Sequence, residues 1–241
     1  MRLAWLPEGD WSAAEADLRE RVASNDRLAM AALARLAVAR GRFADAAHQL
    51  QEATFEPAQS GSEQASVMMS SAWLALEDAR PMQALEDLKA AARDLSDGAP
   101  EWARLDALMA EAFLRVGAQP ECEAAASRAL SRAQVAGEFS AASRASRVRA
   151  ELAATRGNVD GADRDFRSAV EHAERASDRF ELGQSLLSLG VFLGRRKGDR
   201  NQESARQALS LARTWLASIG AEAKLREVDL YLERVLGKSG R

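Results

Sequence analysis

Six short stretches of this 241-residue chain read alike, and each is flanked by runs whose apolar residues recur at helical spacing. They are Gly9 through Ala14, Gly41 through Ala46, Pro81 through Ala84, Gly117 through Cys122, Gly157 through Ala162, and Asp199 through Ala205. Equivalent positions in them are Trp11, Phe43, Pro81, Gln119, Val159 and Gln202, which lie 32, 38, 38, 40 and 43 residues apart. A drifting period of this size is the signature of a solenoid of helix pairs, in which each unit buries its apolar face only by stacking on its neighbours.

Each unit has a local logic. Glycines such as Gly41, Gly117 and Gly157 end a first helix by entering the left-handed conformation without steric cost. A small residue follows (Ala46, Ala84, Ala162), letting the second helix approach closely. Four positions on comes a large one (Leu50, Leu88, Phe166, Leu209), and three further an alanine (Ala53, Ala91, Ala129, Ala169, Ala212). Spacing of i, i+4, i+7 is one face of one helix. Composition agrees: strand formers are scarce, with one isoleucine (Ile219) and 5% aromatic residues, while Ala, Leu, Arg and Glu abound.

The second unit reads Leu33-Ala34, Ala37, Gly41, Phe43, Ala46, Leu50, Ala53, and the fifth Arg149-Ala150, Ala153, Gly157, Val159, Ala162, Phe166, Ala169. The sixth reads Leu189-Gly190, Leu193, then Ala205, Leu209, Ala212 after a three-residue insertion around Arg196-Lys197-Gly198. This series resembles the tetratricopeptide repeat over nearly the whole chain. The period exceeds that family's usual length of about 34 residues, and prolines after the second helix are mostly missing. Those departures are closer to the longer-helix variants of large bacterial signalling and regulatory proteins. Ala212 through Ala221 is similar to the segment that closes such arrays. The resemblance implies an all-α fold, an α-α superhelix of about six hairpins with a capping helix at the C-terminal end.

One domain is expected over residues 1–236, with 237–241 as a disordered tail. The first repeat is incomplete: Trp5 falls on the bulky position of a first helix, so the chain opens with a degenerate half-repeat or is a piece of a longer protein. Glu222 to Leu236 carries an apolar stripe through Leu225, Val228, Tyr231 or Leu232, and Val235 or Leu236, and reads as the cap. The stretch Glu56 to Ser62 is an irregular connection between hairpins.

Catalytic chemistry finds little footing. His48 and His172 lie in different repeats with no cysteine or histidine at ligand spacing, so no metal and no cofactor is expected. Gly237-Lys238-Ser239 lacks the leading glycine of a phosphate loop. Cys122 falls on a small-residue position and is expected in the core. Acidic pairs such as Glu15/Asp17 and Glu86/Asp87 are expected to face solvent. The chain is expected not to be an enzyme. No apolar run reaches the ~18 residues of a membrane span and no signal peptide is evident, so a cytoplasmic location is expected. With 33 basic and 36 acidic residues interleaved, a nucleic-acid partner is not expected either.

In tetratricopeptide arrays the first helices line a concave groove. Carried over by that resemblance, the groove holds Arg35; Met69 and Trp73; Arg104, Glu111 and Arg115; Arg144 and Arg147; and Arg195, apolar early and arginine-rich late. Trp73 one turn from Met69 is either an anchor pocket for a partner's apolar side chain or core between hairpins. Arg144 and Arg147 either meet a carboxylate or phosphate on a partner, or form a solvated face paired with Glu151. The lysine and asparagine of the family's peptide-carboxylate clamp are absent. The expected role is a protein–protein interaction scaffold that holds a protein or peptide segment in the groove. The alternative is the sensor or oligomerisation part of a larger bacterial regulator, with a homo-oligomer or an intramolecular domain as partner.

Overall fold

A computed structural model describes residues 5–7 and 10–237, and over these the chain forms twelve α-helices and no strand. After α1 (Trp11–Val22) come five hairpins. They are α2 (Arg27–Arg40) with α3 (Phe43–Phe55), α4 (Gly61–Glu77) with α5 (Pro81–Asp94), and α6 (Glu101–Val116) with α7 (Gln119–Ala136). Then follow α8 (Phe139–Thr155) with α9 (Val159–Arg175), and α10 (Arg179–Gly194) with α11 (Asp199–Ser218). Helix α12 (Glu222–Gly237) closes the array. The expected turn at Gly9 and the tail residues 238–241 lie outside the described residues.

The second helices begin where the repeat places them, at Phe43, Pro81, Gln119 and Val159, and α11 starts three residues ahead of Gln202, at Asp199. Gly41, Gly117 and Gly157 all have positive φ, as the turns require. In the third repeat Ala79 takes the left-handed conformation (φ 54°) with no glycine to help it. The small–large–small series is buried throughout, from Ala46, Leu50 and Ala53 to Ala205, Leu209 and Ala212. Cys122 is buried at its small-residue position, and burial pushes its thiol up to about 11, leaving a core thiol with little thiolate. Before α4, N-cap Ser60 accepts from Glu63 N (3.2 Å) while Glu63 accepts from Gln59 N (2.7 Å), a reciprocal cap one residue wider than a capping box, and it ends the irregular connection.

Helices α2, α4, α6, α8 and α10 pack in succession as an inner layer, and the superhelix curls until its ends meet. Helix α12 packs on α11 and α10 and also on α2. Gly41 marks that closure: a Cβ added there would stand 2.6 Å from Ala223 Cβ, so both its positive φ and the approach of α12 demand glycine. Lys224 of α12 reaches Glu77 of α4 at 3.2 Å. Across the ring, Trp73 of α4 meets Phe180 of α10 edge-on at 5.6 Å.

Two expectations are corrected. Trp5 lies in a bend, not on a helix, although it is buried. Glu15 is buried rather than solvent-facing: it accepts from Arg19 (2.6 Å) and Arg42 (2.8 Å) and also pairs with Arg40. This carboxylate thereby ties α1 to the α2–α3 turn.

Candidate interaction site in the ring interior

The nine groove positions fall on α2, α4, α6, α8 and the C-cap of α10, and closure decides which of them meet solvent. Met69 and Trp73 are fully buried, the second of their two readings. Trp73 donates Nε1–H to Glu77 Oε1 at 3.3 Å and lies under the Arg144 guanidinium at 5.2 Å. They offer no exposed anchor pocket because Phe180 and the segment around Trp5 cover that face.

Arg144 and Arg147 are buried, not a solvated face, and their carboxylates come from other helices. Arg144 donates Nε and Nη2 to Glu181 Oε1 (3.0 and 2.7 Å) and approaches Glu111 at 3.5 Å. Arg147 donates to Glu181 Oε2 at 3.2 Å, so its ion-pair partner is Glu181 and not Glu151. Glu181 is placed by its helix start. Asp178 caps α10 by accepting from Phe180 N (3.1 Å) and Glu181 N (3.0 Å), and Glu181 stands in the first turn, where a carboxylate also suits the helix dipole. Glu111 also pairs with Arg115 at 3.1 Å. Burial acts to raise the Glu111 carboxyl, but Arg144, Arg147 and Arg115 outweigh it and hold the pKa below the ordinary value.

Arg35 is buried near Trp5, and Arg104 is half-buried with an ion pair to Glu138 at 2.6 Å. Arg115 and Arg195 are exposed. Of the nine expected groove residues, the structure brings Arg115, Arg147 and Arg195 together around one cavity of about 420 Å³ between α6, α8, α10 and α12. Lys224, Glu151 and Glu227 complete its charged lining, and Phe166, Phe192, Leu187, Val191 and Tyr231 supply apolar surface. Lys224, like Glu227, was missed by sequence reasoning, because it belongs to the cap and reaches the cavity only through closure. Burial acts to lower its pKa, and Glu77 and Glu227 more than reverse that, so it stays charged. Among the described residues no cluster of His, Cys, Asp or Glu could hold a metal ion. His48 is exposed and His172 half-buried, with Nδ1 3.2 Å from Ser146 Oγ.

Glu151 faces this cavity with its pKa raised, first by desolvation and then by Glu111, against the pull of Arg147. A carboxyl with a raised folded pKa costs stability above that value, and the cost vanishes below its ordinary value of 4.5. Glu151→Gln is therefore expected to raise the melting temperature at pH 7, with the gain gone by about pH 4. Paired thermal melts of parent and variant at the two pH values check both the sign and the disappearance.

No protein-family model matches the chain, and no curated protein matches it. Among solved structures, the apo form of RapI is similar with a TM-score of 0.51 at 14% sequence identity, over 88% of this chain and 59% of RapI. This chain thus spans less than two thirds of RapI's length. At that identity the likeness concerns the fold: an all-helical α-α superhelix. No helix among the described residues is long and apolar enough to cross a membrane.

Proposed function

We propose that this chain is a protein–protein interaction scaffold of the tetratricopeptide kind, a binding module rather than an enzyme, holding a partner segment in the cavity between α6, α8, α10 and α12. The observation that carries the reading is the lining of that cavity. Four cations (Arg115, Arg147, Arg195, Lys224) face two carboxylates (Glu151, Glu227) beside an aromatic and aliphatic floor. Such a surface suits an acidic segment with an apolar side chain to insert, the carboxylates meeting guanidinium donors as the apolar group leaves water. A volume of about 420 Å³ admits a few side chains.

The test reverses Arg195, an exposed cation of the lining that takes no part in the Glu111–Arg144–Glu181 network. Arg195→Glu leaves that buried network intact, so folding is retained. Affinity capture from the source cell with the parent chain, followed by mass spectrometry, identifies the partner. The reversal is expected to weaken that partner's binding by roughly tenfold or more, since attraction becomes repulsion across the contact. An unchanged affinity would remove the cavity from the reading. The same cavity would serve a sensor or oligomerisation part of a larger regulator. An ATPase or helix-turn-helix module in the adjoining coding sequence would move the reading there.

A further inference from the structure

Trp5, Leu6 and Pro7 belong to no helix, yet Trp5 and Leu6 are buried against the inner layer. Trp5 is held by contacts to both its ring and its main chain. The guanidiniums of Arg35 and Arg104 lie 4.5 and 4.9 Å from its ring, and Trp73 lies 6.0 Å from it. Arg35 Nε donates to the Trp5 carbonyl oxygen at 2.7 Å, and its Nη1 reaches Ser70 Oγ at 3.0 Å and Ser66 Oγ at 3.3 Å.

A core built for stability alone would not choose this arrangement. Among the described residues no carboxylate pairs with Arg35, and burial beside Arg104 pushes its pKa down to about 9. A desolvated cation held by neutral acceptors is costly, whereas an arginine aimed at a main-chain carbonyl and an aromatic face is a means of recognising an extended segment. The seat is also wider than its occupant. A cavity of about 200 Å³ remains on the segment's flank, lined by Trp5, Leu6 and Pro7 with Arg104, Phe139 and Asp178. It shares no lining residue with the cationic cavity described above.

We propose that this part of the ring is a second recognition site, one for an extended aromatic–aliphatic segment of a partner protein, and that Trp5-Leu6-Pro7 occupies it in cis as a competing self-ligand. The site does not depend on the cationic cavity, and its test needs no identified partner. The probe is a fluorescently labelled peptide of residues 3–9, added in trans and followed by anisotropy. In the parent chain the site is open only a fraction of the time, which weakens apparent binding by that fraction. The full-length Trp5→Ala/Leu6→Ser variant empties the seat and is expected to bind the peptide at least about tenfold more tightly than the parent. Adding Arg35→Met, or Arg104→Gln at the half-buried position, is expected to return binding toward the parent level. Far-UV circular dichroism accompanies each variant. If the double variant loses its helix content, the segment is a structural strut and the proposal is overturned. It is equally overturned if the folded variant binds no more tightly than the parent, or if binding is indifferent to both arginine substitutions and so lies elsewhere.

Discussion

Glu181→Ala is expected to destabilise the fold by about 3–5 kcal/mol, because it leaves buried charge without its counter-charge. Glu181 takes two hydrogen bonds from Arg144 and one from Arg147, and all three side chains are buried. Without it the nearest carboxylate to Arg144 is Glu111, at 3.5 Å, and that group is already shared with Arg115. Water cannot substitute readily at a position this enclosed. The midpoint of urea unfolding at pH 7 measures the loss. Replacing the whole set, Arg144→Met/Arg147→Met/Glu181→Leu with Glu111→Gln, is expected to recover most of it, since a well-packed neutral set of similar volume avoids the desolvation cost that the ion pairs only offset. A Glu181→Ala variant as stable as the parent would mean that the network is solvated and the ring open.

Trp73→Ala is expected to cost about 3–5 kcal/mol, which in a chain of this size lowers the melting temperature by roughly 6–20 °C. The indole is 0% exposed and touches three different parts of the chain: Trp5, Phe180 and the Arg144 guanidinium. Truncation opens a void in the middle of the ring and removes the surface on which Arg144 rests. Met82→Ala on α5, where the side chain is 63% exposed, is the contrasting control and should be near neutral. Differential scanning calorimetry on the three proteins makes the comparison. Trp73→Ala is consequently a poor probe of partner binding, since it would unfold what it was meant to interrogate. Arg195 is exposed and free of that defect.

Much of the architecture was legible because it is written locally. The turns at Gly41, Gly117 and Gly157 and the buried Ala46–Leu50–Ala53 series follow from backbone sterics and a 3.6-residue period, which need no knowledge of distant chain. Helix α2 buries ten consecutive-range apolar residues from Ala29 to Ala39 together with Arg35, so it has no polar face. A helix apolar on all sides is enclosed on all sides, and that alone argues against a wide-open groove along it.

The candidate site was legible only in part. Arg115, Arg147 and Arg195 share one side of the inner layer because repeat spacing puts them there, and they do line one cavity. Their surroundings could not be read in the same way. Glu181 answers Arg144 from 37 residues away, and Lys224 enters from the cap.

The sequence by itself determined the helices, their pairing into hairpins and the face each second helix buries, because those depend on residues within one repeat. Tertiary structure alone decided that the ends meet, that Trp73 and Arg144 are interior, and that one cationic cavity stays open. Curvature is the sum of small rotations between successive hairpins. Each is set by packing across an interface rather than by any single residue. The closing contact between Gly41 and Ala223 joins positions that no local pattern relates.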